Sequence, residues 1–128
     1  MKVIDILVAR DSLVKLIKVR FTDFKTTSAV YKLVKKVDSV TDMVQTEQKK
    51  IIDIYADKDE KGNLVVQNGN YIFSKPENNA KCVEEMNKLR NEEVTDVEKI
   101  TIKLDSVQNA SELSAEDIIK LEPVIDWV

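Results

Sequence analysis

At 128 residues the chain suits a single domain able to bury roughly two-thirds of the surface its unfolded form exposes. Two glycines and two prolines are too few for the tight turns of an all-β sandwich, and an aromatic content of 5% leaves a core of Val, Ile and Leu. Twenty basic and 23 acidic residues, net charge −3, are spread along the length without a basic stripe, which argues against nucleic-acid recognition.

The opening "MKVIDILVAR" carries an acid inside its apolar part, so it does not read as a signal peptide, and no apolar run approaches the ~20 residues of a membrane span. Val3, Ile4, Ile6, Leu7 and Val8 are followed by Leu13, Val14, Leu16 and Ile17. Asp11 or Ser12 could cap a helix running to about Val19 with a short strand before it, or one helix could run from Ile4 onward. On either reading the segment is core.

From about Thr26 to Asp57 runs the longest periodic stretch, uninterrupted by Gly or Pro. Val30, Val37, Val44 and Ile51 fall seven apart, and Leu33, Val40 and Ile54 form the complementary row, broken only by Glu47. The pattern predicts a helix of ~30 residues with an a/d seam and β-branched residues at a. Val34, Ile52 and Tyr55 widen its stripe. Such a helix outruns the ~18-residue helix that follows, so either the N-terminal helix or a second protomer must cover the remainder. Val30, Val37, Val44 and Ile51 are therefore candidate partner-binding residues, and a homo-oligomer is a candidate assembly.

"EKGNLVVQNGNYIF", Glu60 to Phe73, holds both glycines. Asn-Gly between two β-prone runs signals a hairpin, because a type I′ turn needs positive φ at both central residues. The tip, Asn68, Gly69, Asn70 and Tyr71, is either an inert turn or a second contact point. "DKDEKGNLVVQN", Asp57 to Asn68, has the first, third and sixth residues of a calcium loop. Lys61 at the fifth position and Asn68 at the twelfth, where a bidentate Glu belongs, leave it short of ligands.

Ser74 with Glu77, and Pro76 in the first turn, predict a helix that ends near Glu93, with Ala80, Cys82, Val83, Met86 and Leu89 on its apolar side. The lone Cys82 rules out an internal disulfide and suits a reducing cytosol. "EKITIKL" alternates, placing Ile100, Ile102 and Leu104 on one face of a half-buried strand. Ser114 with Asp117 caps a last helix, and Pro123 marks its end.

The expected fold is α+β over residues 1–128. A long helix and a shorter antiparallel one are joined by a β-hairpin, with an N-terminal helix and a small antiparallel sheet completed by the strand near 98–104.

Chemistry has little to work with. No histidine occurs, which removes the commonest general base and metal ligand and every Ser-His-Asp or Cys-His arrangement. No phosphate-cradling glycine motif occurs. No catalytic residue, metal ligand or cofactor is predicted, and the expectation is a non-enzymatic protein.

"YADKDEKGNLVVQNGNYIF" leading into "EEMNKLRNEEV", the strand "EKITIKLDSV" and the terminal "LSAEDIIKLEPVI" together resemble a family of small proteins of unknown function. Its members are encoded by siphoviruses and prophages of Gram-positive bacteria. The opening "ARDSLVKLIKV" also fits, so the likeness spans most of the chain. It implies a phage origin and a place in the host bacterial cytoplasm or the virion. The family brings no assigned activity or catalytic residues. Two roles follow as expectations: a phage assembly or minor virion or tail-associated component, or a small inhibitor of a host or anti-phage defence protein. Helix, hairpin, helix is also the order in prefoldin-type chaperone subunits, but their two helices are similar in length, so that likeness is one of plan alone.

Overall fold

The computed structural model describes all 128 residues. Its elements run α1 (Val3–Ile17), α2 (Phe24–Tyr55), β1 (Val66–Gln67), β2 (Asn70–Tyr71), α3 (Pro76–Arg90), β3 (Ile100–Ile102), a 3₁₀ turn (Leu104–Val107), α4 (Ala115–Leu121) and β4 (Ile125–Trp127). The fold is α+β, as expected, with the long helix and a hairpin leading to a shorter antiparallel helix. No helix is long and apolar enough to cross a membrane.

The N-terminal segment is one helix without a preceding strand. Val3, Ile6, Ala9, Leu13 and Leu16 recur at three- and four-residue spacing, and all five are buried. That stripe makes α1 central, because it packs against both α2 and α4. At the α1–α2 contact, Arg10 Nε donates to Asp38 Oδ1 at 3.2 Å.

Asp23 starts α2: its carboxylate accepts from the Thr26 backbone N–H at 3.0 Å and from the Thr26 hydroxyl at 2.8 Å. Those bonds hold the Asp23 carboxyl below its ordinary pKa. Thirty-two residues follow without a break, so the rod is ~48 Å long. Only its first two-thirds belong to the core. Val30, Leu33, Val34, Val37, Val40 and Val44 are buried, Ile51 is half-buried, and Ile54 is 67% exposed.

The strand at Ile100–Ile102 forms, but it does not complete a sheet with the hairpin. It pairs in parallel with β4, Ile100 opposite Ile125 and Ile102 opposite Trp127. Length along the rod explains the difference. Ile100 lies in a groove with Leu33 near one end of α2, whereas the hairpin follows Tyr55 at the other. Twenty-two helical residues separate those points, ~33 Å apart. The hairpin therefore stays two-stranded, and β3 takes a partner from the C-terminus. A parallel pair needs a crossover, and the 3₁₀ turn and α4 supply it.

Leu104 is also displaced from its expected place. It leaves the strand for the 3₁₀ turn and is exposed, while Ile102 and Val107 point into the core. Ser114 caps α4 as expected: its hydroxyl accepts from the Asp117 N–H, and the Asp117 carboxylate accepts from the Ser114 N–H at 2.9 Å.

The same Asp117 ties α4 to α1. It is 4% exposed, and its Oδ1 accepts the Ser12 hydroxyl at 2.7 Å, while Lys15 Nζ lies 3.2 Å from both carboxylate oxygens. The Ser114 backbone donor, then Ser12, hold its carboxyl well below the usual carboxylate range. Ser12, one of two candidate caps for α1, is instead a buried mid-helix residue whose partner lies in α4.

Candidate functional site

Beyond Val44 the molecule narrows to an arm built from the end of α2, the hairpin and α3. Its interior is thin. Ala56 and Cys82 are the only buried apolar residues between Val44 and Val97, and Ile52, Tyr55, Ile72, Phe73 and Met86 are half-buried around them. Polar bonds close the arm. Tyr55 Oη donates to Glu85 Oε1 at 3.0 Å, joining α2 to α3. That bond to a carboxylate raises the tyrosine pKa.

At the base of α3 the Asp57 carboxylate accepts from both the backbone N–H and the hydroxyl of Ser74. This corrects the expected capping box, because Ser74 turns to Asp57 and Lys75 stands at the N-cap with Pro76 as the first helical residue. The helix stops at Arg90, three residues earlier than expected. Nor does α3 bury the expected side, since Ala80 and Val83 are exposed and Leu89 is only half-buried.

The turn itself is as expected. Val66 pairs with Tyr71 and Gln67 with Asn70, and Asn68 and Gly69 adopt φ of 53° and 79°, the two positive values a type I′ turn requires. Gly69→Ala should cost roughly 1–2 kcal/mol of local stability, because a Cβ disfavours that conformation. Amide exchange measured at Asn70 and Tyr71 would accelerate while α1 stayed protected.

Between α3 and the hairpin lies a shallow depression whose apolar lining is Ile52, Tyr71, Phe73, Val83 and Met86, with Asn70, Asn79, Asn87 and Arg90 supplying its polar part. Tyr71 is 42% exposed and Val83 52%, and Val66, cross-strand from Tyr71, is exposed beside it. The patch draws on three separate pieces of chain.

The eight predicted partner-binding residues divide sharply. Val30, Val37 and Val44 are enclosed in this chain's own core and offer no side chain to a partner, which corrects their assignment as a contact stripe. The cause is α1 packing against α2, with β3 also against it. Ile51 is half-buried on the arm, and Asn68, Gly69, Asn70 and Tyr71 are all exposed at the turn. Of these, Asn70 and Tyr71 line the depression. Phe73 reads in sequence as the end of the hairpin's second run, and Val83 and Met86 read as the inward side of the helix that follows, so none of the three signals a contact surface by itself.

No cluster of metal-ligating side chains accompanies the patch. In the calcium-like segment, Asp59 Oδ1 accepts from the backbone N–H groups of Lys61 and Asn63, while Asp57 faces Ser74. The two carboxylates thus serve separate turns. No three His, Cys, Asp or Glu side chains converge anywhere in the chain. Cys82 is buried, and burial followed by the Glu85 charge pushes its thiol pKa up, away from the reactive thiolate.

No protein-family model, curated protein or solved structure matches this chain.

Proposed function

We propose that the chain is a non-enzymatic phage protein that works through protein–protein contacts, as an assembly factor or a minor virion or tail-associated component. One observation carries the contact reading: the arm sets the exposed Tyr71 and Val83 beside the half-buried Ile52, Phe73 and Met86 around one depression. Apolar groups gathered from three chain segments, with Tyr71 and Val83 open to solvent, favour a partner over scattered surface hydrophobes. Asp57, just past the end of α2, bonds Val65, Ile72 and Ser74 on both sides of the hairpin, and this frame limits the ordering cost of binding. The phage assignment rests on the family resemblance.

The test is affinity purification from phage-infected cells, comparing the wild-type chain with Tyr71→Asp/Val83→Asp. Both side chains are half in solvent, so the variant should fold with an unchanged melting temperature and α-helical signal. The wild type is expected to retain a defined set of phage virion or assembly proteins, and the variant to lose them. Retention by both would remove the arm from the reading. Retention of one host protein in place of phage proteins would replace assembly with inhibition.

A further inference from the structure

The depression on the arm has a length, a charge and an open backbone edge. From the hairpin it takes Asn70, Tyr71 and Phe73, all on the β2 side, and nothing from β1. Its other wall is α3 from Asn79 to Arg90. Residues 79 to 90 of a helix span ~16 Å, the length of about five extended residues. The space measures about 360 Å³, within the range of ligand sites. It is shallow along its length, so a chain can pass through it without ending there.

The backbone beside it is unpaired on one side. The Ile72 N–H turns inward to the Val65 carbonyl, and the Ser74 N–H turns inward to the Asp57 carboxylate. Phe73, between them, turns its N–H and C=O outward, where no backbone group of this chain bonds either. Open strand edges of this kind are templates for an added strand.

The charge is one-sided as well. Arg90 is the single charged residue of the lining, it is exposed, and it makes no ion pair within the chain. Glu85 on the same helix is held by Tyr55. Glu92 and Glu93, beyond the helix end, line a separate groove, and Glu93 is taken by the N-terminal amine. The cationic end of the depression therefore has no acid of its own.

We infer that the depression holds an extended segment of the partner protein, paired with the Phe73 backbone, its apolar side chains between hairpin and α3 and its Asp or Glu on Arg90. This rests on the contact reading above and gives the partner its chemistry. Main-chain bonds to an edge supply affinity, and alternate side chains entering a groove supply specificity. The guanidinium fork matches a carboxylate with two parallel bonds. The amides of Asn70, Asn79 and Asn87 can both donate to and accept from the peptide groups of the segment. Successive side chains of a strand alternate in direction. The motif is therefore two apolar residues at alternate positions, with the acid two residues beyond one of them.

Selection of random linear peptides by mRNA display on the full chain tests the inference, since that linkage blocks the peptide C-terminus and leaves only side-chain carboxylates. The wild type is expected to recover the motif, and Tyr71→Asp/Val83→Asp to lose it. Arg90→Glu should keep the melting temperature and bind the best recovered peptide about 10-fold more weakly. Used as bait itself, it should select Lys or Arg in place of the acid. Bound peptide should also slow amide exchange at Phe73. Peptides that lack the acid, or that bind Arg90→Glu equally well, would overturn the inference, and so would a Phe73 amide that stays unprotected. If no linear peptide is recovered while retention in infected cells still depends on Tyr71 and Val83, the contact reading stands and this inference falls. Motif peptides held by the arm while infected-cell retention ignores those two residues would keep the site and remove the assembly role. With neither result, both fall.

Discussion

Val37→Asp should unfold the protein, whereas Ile54→Asp should leave it standing, although the two positions belong to the same predicted seam. Val37 is 1% exposed against α1 and the rest of the core, and nothing there offers a carboxylate a partner. Burying an unpaired charge costs at least about 4 kcal/mol, a large share of the ~5–15 kcal/mol that holds a domain of this kind together. Ile54 is 67% exposed in the last turn of α2. An aspartate there meets water and pays only a helix-end dipole term, below about 1 kcal/mol. Thermal melts followed by circular dichroism separate the cases: no cooperative transition for the first, a shift of a few degrees for the second. Equal losses would mean that the far end of α2 is sealed by protein after all.

Asp117→Ala carries the second-largest expected effect, because one side chain performs three tasks. It completes the cap of α4, accepts the Ser12 hydroxyl and anchors Lys15. The lost cap costs about 1 kcal/mol. A buried Ser12 hydroxyl without its acceptor adds about 1–3, and the half-exposed Lys15 contributes little. The sum is about 2–4 kcal/mol. Ser12→Ala should therefore cost less in the Asp117→Ala background than alone, as coupled neighbours do.

The pH dependence of this contact has a definite sign. The Asp117 carboxyl is depressed in the folded state, so its contribution is complete above the unfolded carboxylate value of roughly pH 4. It is lost as pH falls below that value, and the loss continues to below pH 2. Urea midpoints between pH 5 and pH 2 should fall more steeply for the wild type than for Asp117→Asn. Parallel slopes would show that the carboxylate is not held as the Ser12 and Ser114 bonds imply.

Several elements were legible before any coordinates, each for a local reason. The continuous α2 follows from valines at helical spacing with no Gly or Pro. The hairpin follows from Asn68-Gly69, whose positive φ few other pairs tolerate, and the start of α4 from the reciprocal Ser114–Asp117 bonds. Where the structure departs from local signals, the reasons are physical as well. Ser74 carried a sound capping signature, yet the Asp57 carboxylate competed for it from across the arm. β4 is three residues long and follows Pro123, too short a run for a period to show.

What residue order alone determined is what neighbours along the chain can settle between them: one long rod, a tight turn and the cap of the last helix. Which side of the rod is covered, and by what, was decided only in three dimensions. The same heptad describes Val37 in the core and Ile54 in solvent, because periodicity fixes the face of a helix and not what lies against it. α1 packs against the first two-thirds of α2 and stops, and that difference in length divides the protein into a packed core and a thin arm that carries the depression.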